Sequence, residues 1–241
     1  MKKVIITMIL LLVFSPLVFG AKLYWSDFES DTIGDPPQGW ELGFDGSTEG
    51  TVIEDPINPG NKVFSHSDLT DDQSRHDVGG SIWVVGEENW TDYMVEYDAY
   101  FPTDFYIGTL FRFQDDDAFY LFDRRQGGPT FDFWKQEAGA WTNIAAGAAF
   151  DAQPENWYRF RIVIEGDTFE AYAKEQVDDT PFEDMQPIQI GTDATFANGK
   201  FGLYGLIYID NIVIGETEAD MTLAVDSTGK LNSTWGAIKA D

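Results

Sequence analysis

No cysteine occurs in the 241 residues, and two histidines are the whole imidazole supply. The first absence excludes a disulfide framework, a thiolate metal centre and a cysteine nucleophile. Core packing alone must then hold the fold, and a single all-β sandwich of about 220 residues can bury enough apolar surface for that. Basic residues are scarce: 15 Lys and Arg stand against 42 Asp and Glu, a formal charge of −27. So acidic a surface repels phosphate backbones and anionic lipid, and nucleic acid drops out as a partner. Long apolar runs are missing after residue 19, and no window of a dozen residues sustains helical periodicity. Phosphate loops, nucleophile elbows and H-E-x-x-H motifs are absent too.

What is present begins with a leader. Lys2 and Lys3 precede an apolar stretch from Val4 to Phe19, and Val18-Phe19-Gly20 suits cleavage after Gly20. Residues 1–20 are therefore expected to be a bacterial-type signal peptide, 21–215 one domain, and 216–241 a tail. Pro16 and the shortness of the run argue against a retained anchor. The expected destination is secreted, periplasmic or cell-surface, with a mature chain that is soluble. Loss of Lys2 and Lys3 takes the charge from −27 to −29. Acidity of this degree suits solubility in a salty medium, divalent cations with hard oxygen ligands such as Ca²⁺, or neutral sugars whose hydroxyls donate to carboxylates. The sequons at Asn89 and Asn232 are set aside because the leader is bacterial in type.

Strand signals fill the domain. From Trp90 to Tyr100, Tyr93, Val95, Tyr97 and Ala99 alternate with Asp92, Met94, Glu96 and Asp98. Further strands are expected over 106–114, 119–125, 130–135, 157–164, 168–174, 200–204 and 208–214, with Asp115-Asp116-Asp117 as a turn. Residues 34–60 and 175–189 read as long loops, the first with short strands near Trp40–Phe44 and Thr51–Ile53. So many short strands with regular turns indicate a sandwich or a barrel. The tail carries a short apolar patch around Trp235, which suits either loose packing or the docking of a partner.

Several segments, in this order, resemble the concanavalin A-like lectin/glucanase superfamily over residues 23–215, nearest the laminin-G-like and thrombospondin C-terminal types. They are Asp27-Phe28-Glu29-Ser30, Gly108 to Asp115, Phe119-Tyr120-Leu121-Phe122, Trp157 to Asp167 and Asp210-Asn211-Ile212-Val213-Ile214. The resemblance implies an all-β antiparallel jelly roll, often with structural Ca²⁺ and often with glycan or matrix binding. It does not choose an activity, since one fold hosts many.

If the first and last strands pair, Glu29 and Asp210 face one another, with Asp27 and Asp31 at the same edge, and the four become candidate Ca²⁺ ligands. The candidate glycan residues are Arg112, Asp123, Arg125, Asp132 and Trp134. Alternation sets Arg112 beside Leu110 and Gln114, Asp123 beside Arg125, and Asp132 beside Trp134; rings stack on sugar CH faces while planar polar groups meet hydroxyls. Trp40 and Trp157 read as core, and Trp83, Trp134 and Trp141 as exposed. Glu165-Gly166-Asp167-Thr168-Phe169-Glu170 has the E-x-D-x-x-E spacing of retaining glucanases, but Gly166-Asp167 reads as a hairpin turn that cannot line a cleft. No catalytic residue is assigned. His66 and His76 lie in an acidic loop without ligand spacing. The expectation is a secreted, calcium-stabilised carbohydrate-binding module. The alternatives are a glycoside hydrolase or polysaccharide lyase, with Asp123 and Asp132 as its acids, and a structural or adhesive surface protein.

Overall fold

The computed structural model describes residues 22–67, 80–104, 106–126 and 130–221. The leader, His76, and the tail beyond residue 221 with Trp235 lie outside the described residues. In chain order the strands are β1 (Lys22–Ser26), β2 (Trp40–Phe44), β3 (Glu49–Glu54), β4 (Lys62–Ser67), β5 (Ile82–Val85), β6 (Tyr93–Tyr100), β7 (Ile107–Asp115) and β8 (Ala118–Arg124). They continue with β9 (Thr130–Glu137), β10 (Ala140–Ala149), β11 (Trp157–Glu165), β12 (Thr168–Glu175), β13 (Gln189–Thr192), β14 (Lys200–Tyr204) and β15 (Tyr208–Gly215). One sheet runs β13-β12-β11-β6-β15-β4-β3 with β1 also on β15, and the other runs β10-β9-β8-β7-β14-β5-β2. This is the antiparallel two-sheet jelly roll that the resemblance implies.

The period-two pattern decides which residues meet. From the first sheet Val95, Tyr97 and Ala99 of β6 and Phe160, Ile162 and Ile164 of β11 point inward. Opposite them stand Ile107 and Phe111 of β7, Tyr120 and Phe122 of β8, and Phe131 and Phe133 of β9. Phe160 stacks on Tyr97 at 5.7 Å within its own sheet and meets Phe122 at 6.2 Å across the core. Each such ring contributes roughly 1.5–3 kcal/mol on burial. The Tyr97 hydroxyl, sealed inside, finds Thr109 Oγ1 at 2.9 Å.

The terminal strands do meet. Trp25 pairs with Val213 and Ser26 with Ile212, while Tyr208 and Ile209, earlier in β15, pair with Ser65 and Phe64 of β4. One edge of β15 is thus shared end to end by β1 and β4. At the other side β11 and β12 close on Gly166-Asp167, with Glu165 opposite Thr168 and Gly166 at φ +54°. The E-x-D-x-x-E spacing therefore spans a hairpin turn.

Candidate functional site

The sheet β10-β9-β8-β7-β14-β5-β2 is apolar on both faces. Its outer face carries Ile82, Val84, Leu110, Phe113, Phe119, Leu121 and Tyr204, with Trp134 and Trp141 packed against them. On this face lies a cavity of ≈ 230 Å³ lined by Tyr106, Leu121, Asp123, Arg125, Trp134, Trp141 and Tyr204. Asp123 and Leu121 are outward positions of β8, and Trp134 is directly across from Leu121 on β9.

Arg125 follows the last residue of β8, and its backbone N–H still donates to the Thr130 carbonyl at 2.9 Å. That bond fixes where the side chain starts. Its guanidinium lies 4.3 Å from the centroid of Tyr106 and 4.7 Å from that of Trp134. Nη1 donates to Asp123 Oδ2 at 3.0 Å, and Nε lies 3.6 Å from Asp132 Oδ2. Cation–π contacts of this kind are each worth about 0.5–2 kcal/mol. Asp132 is held from behind: Gly147 N donates to Oδ1 at 2.8 Å and Asn143 Nδ2 to Oδ2 at 3.3 Å. The amide of Gly147 reaches it because β10 breaks register between Asn143 and Ala148, with Gly147 at φ +82°, where a side chain would be strained. The Trp134 indole N–H is closed off from solvent and has no partner among the described residues.

Four of the five glycan candidates thus come together: Asp123, Arg125 and Trp134 line the cavity, and Asp132 backs Arg125. Arg112 does not join them. Strand β7 shifts register against β8 between Phe111 and Asp115, and Arg112 takes φ +48° at the irregularity. Phe113 therefore takes the outward place beside Leu110, while Arg112 turns inward, 2% exposed, to the Thr91 and Phe196 carbonyls at 3.1 and 3.0 Å. Gln114 is also elsewhere, its Nε2 on the Asn198 carbonyl at 3.1 Å. Trp83, expected exposed, is buried in the core, as are Trp40 and Trp157. Tyr106, Leu121 and Tyr204 were not singled out by the sequence; Leu121 shares its strand face with Asp123, which was the one available signal.

The candidate metal ligands are adjacent but engaged otherwise. The Lys62 ammonium donates to the backbone carbonyls of Glu29 at 2.9 Å and Asp31 at 2.6 Å, while Glu29 Oε1 accepts the Lys62 N–H at 3.0 Å. Asp210 accepts from Asn61 Nδ2 at 3.0 Å and from Asn211 N at 2.7 Å. Asp27 and Asp31 each accept a backbone amide, from Glu29 at 3.2 Å and Gln38 at 3.1 Å. Among the described residues no group of three or more carboxylates or imidazoles gathers to hold a metal. The Lys62 ammonium sits among these groups, and a Ca²⁺ ion, which wants six to eight oxygens, would have to displace it from two backbone carbonyls. Asp115 and Asp117 form the β7–β8 turn, with Asp117 N donating to Asp115 Oδ1 at 2.9 Å.

No protein-family model and no curated protein sequence matches the chain. Solved structures do. Similar folds include the carbohydrate-binding module CBM66 from Bacillus subtilis, at 19% identity and a TM-score of 0.51, covering 72% of this chain and 93% of that one. Domain 4 of AbnA, a GH43 extracellular arabinanase from Geobacillus stearothermophilus solved with arabinotriose, matches at 12% identity and a TM-score of 0.52, covering 84% and 97%. The GH43 protein BlXynB from Bacillus licheniformis matches at 11% identity and a TM-score of 0.52, covering 80% of this chain but only 39% of that one. At such identities the likeness establishes the fold, a jelly roll of the concanavalin A-like type.

Proposed function

We propose that this protein is an exported carbohydrate-binding module whose ligand is a neutral polysaccharide, taken by the outer-face cavity around Arg125. One observation carries the reading. A guanidinium is held between the rings of Tyr106 and Trp134 with a carboxylate on its edge, at the wall of a cavity that two further aromatics complete. Rings beside fixed planar polar groups are what a sugar needs, CH faces on the one and hydroxyls on the other. Two module-sized structures of like fold, one a carbohydrate-binding module and one an arabinanase domain in complex with arabinotriose, support the same class of ligand. Within the superfamily, the order of motifs favours the laminin-G-like subtype.

The enzyme alternative needs two ionisable groups free to trade a proton. Asp123 and Asp132 are instead tied to Arg125, and Asp132 also to the Gly147 amide, which suits them to accept hydrogen bonds. Binding is thus the better reading. The test is a panel of soluble neutral polysaccharides, including arabinan, xylan, mannan, fructan and β-glucan, run against the wild type and Trp134→Ala. Binding by the wild type that Trp134→Ala loses would support the site; equal binding by both would remove the ligand from this cavity, and silence across the panel would overturn the lectin reading.

A further inference from the structure

A second place in the molecule is dressed for a sugar. Of the seven described tryptophans, Trp25 alone falls in the exposed class, at 43%. It stands on β1, at the opening of a groove of ≈ 400 Å³ that Tyr24, Asp27, Asp31, Gln38 and Gly39 also line. This groove belongs to the first sheet's edge, whereas the Arg125 cavity lies on the outer face of the second sheet.

The surroundings of Trp25 are fixed in advance. The Tyr24 hydroxyl accepts the Trp40 indole N–H at 3.1 Å and donates to the Gln38 carbonyl at 3.1 Å, and its ring stands edge-on to Trp40 at 6.4 Å. Burial raises the Tyr24 phenol to about 12, so it stays a neutral hydroxyl. Gly39, at φ +86°, leaves the space beside the Tyr24 ring open; a Cβ there would stand 3.1 Å from it. Asp27 and Asp31 each have Oδ1 pinned by one backbone amide, and neither forms an ion pair among the described residues. Their Oδ2 atoms accept no hydrogen bond from the described residues and can receive donors from outside.

An exposed ring, two pre-set carboxylate acceptors and an exposed side-chain amide select among ligands. Anions are repelled by the carboxylates. A purely apolar partner would leave those carboxylates desolvated and unpaired. A metal ion would find the backbone carbonyls of Glu29 and Asp31 already taken by the Lys62 ammonium. A neutral sugar satisfies every group, with its CH face on the indole and its hydroxyls donating to Asp27 and Asp31. We infer that Trp25, Asp27, Asp31 and Gln38 form a second saccharide subsite at the β1 edge. It would take a neutral sugar ring of the kind of polysaccharide proposed for the Arg125 cavity, and in that respect it rests on that reading. Two sites on one module raise affinity for a long chain over that for a short one, by about 10²–10⁴-fold where the geometry allows both to engage.

The experiment is ¹⁵N–¹H spectroscopy of the tryptophan indoles in the purified protein, assigned by Trp25→Phe and Trp134→Phe. Arabinan, xylan, mannan, fructan and β-glucan are added in turn. The inference expects the Trp25 signal to shift with at least one of them, whether or not Trp134 moves. Trp25→Ala should then weaken binding to the immobilised polysaccharide at least tenfold, with Trp25→Phe restoring most of it. If Trp134 shifts and Trp25 does not, the subsite is overturned while the cavity stands. If Trp25 shifts alone, the cavity reading falls and the subsite stands. Silence at both signals with every sugar overturns both. A Trp25 signal that moves with protein concentration, without sugar and alongside dimers in sedimentation, would mean that a second copy covers the indole, and would overturn the subsite.

Discussion

Arg125 and Arg161 stand on opposite outer faces of the sandwich, are built from the same parts and end in opposite states. Each guanidinium rests on an aromatic ring and meets carboxylates. Arg161 lies 5.0 Å from the Phe182 ring, with Nε on Glu96 Oε1 at 2.8 Å and both terminal nitrogens on Glu218 at 2.9 and 2.6 Å. Its neighbour Arg159 bridges Glu96 at 2.8 Å and Asp98 at 2.9 Å. Asp98 takes further bonds from Gln176 at 3.0 Å and Asn211 at 2.9 Å, so the ladder is closed at both ends. Arg125 has one full-strength contact, to Asp123, and keeps 29% of its side chain exposed. Strand register does the first part of this: Arg159 opposite Asp98 and Arg161 opposite Glu96 are direct cross-strand pairs. The rest comes from cover. Phe182, in the segment between β12 and β13, and Glu218, just after β15, lie over the first ladder. An arginine on a ring is thus buried or left open according to what lies above it.

The sharpest way to break this contrast is to remove one partner from the closed side. Glu96→Ala leaves the buried Arg161 and the partly buried Arg159 guanidinium groups without their shared acceptor, and such losses cost about 3–5 kcal/mol. Denaturant unfolding should show that drop, and polysaccharide affinity of the remaining folded protein should be unchanged. A loss of affinity as large as the loss of stability would mean that the faces are coupled. The reciprocal change is Arg125→Lys, which keeps the charge but loses the flat stack and the fork. Its stability should stay within about 0.5–1 kcal/mol of wild type, while affinity falls roughly tenfold, about 1.4 kcal/mol. Calorimetric titration checks the second figure.

The sequence revealed the sandwich because alternation was strong where it mattered: Tyr93, Val95, Tyr97 and Ala99 of β6 and Tyr158, Phe160, Ile162 and Ile164 of β11 face the core, one residue in two. It was weaker at β10, where Ala140–Ala149 is rich in alanine and carries little β preference. Four candidate residues could be grouped from sequence because Asp123 and Arg125, and Asp132 and Trp134, sit two apart along an unbroken β8–β9 register that Arg125 continues by one residue. Arg112 was misplaced by a single irregularity in β7, since one extra residue reverses every side chain beyond it. Tyr106 and Tyr204 could not be read at all, because strand order rather than local pattern brings them to Trp134. Trp25 escaped notice for a related reason: whether an indole is core or surface depends on what packs over its strand.

Between the two faces, the β1 edge offers a smaller test. Lys62 joins Glu29 and Asp31 as a fixed cation would, so chelator should leave the melting temperature unchanged, and added Ca²⁺ should not raise it. Lys62→Met strands two carbonyl acceptors and should cost about 1–3 kcal/mol. Thermal melts with and without chelator decide this; a wild-type shift of several degrees would restore the calcium expectation.

The smallest effect should be acid loosening of the tie between the sheets. Asp193 follows β13 in one sheet and accepts from Tyr120 Oη at 2.7 Å in the other, with Lys135 Nζ at 3.1 Å and Thr195 N at 2.8 Å. Burial alone would raise its pKa, but these hydrogen bonds outweigh it and hold the carboxyl at about 2. A free aspartate titrates near 3.9, at about the value expected in the unfolded chain. The folded pKa is thus the lower one, so the stabilisation is fully present above about pH 4 and is lost as pH falls toward 2. Asp193→Asn should flatten that part of the stability profile while leaving the neutral end lower by a near-constant amount. Denaturant unfolding from about pH 2 to about pH 7 checks this: an Asp193→Asn profile as steep as that of the wild type would make the cross-sheet tie a bystander.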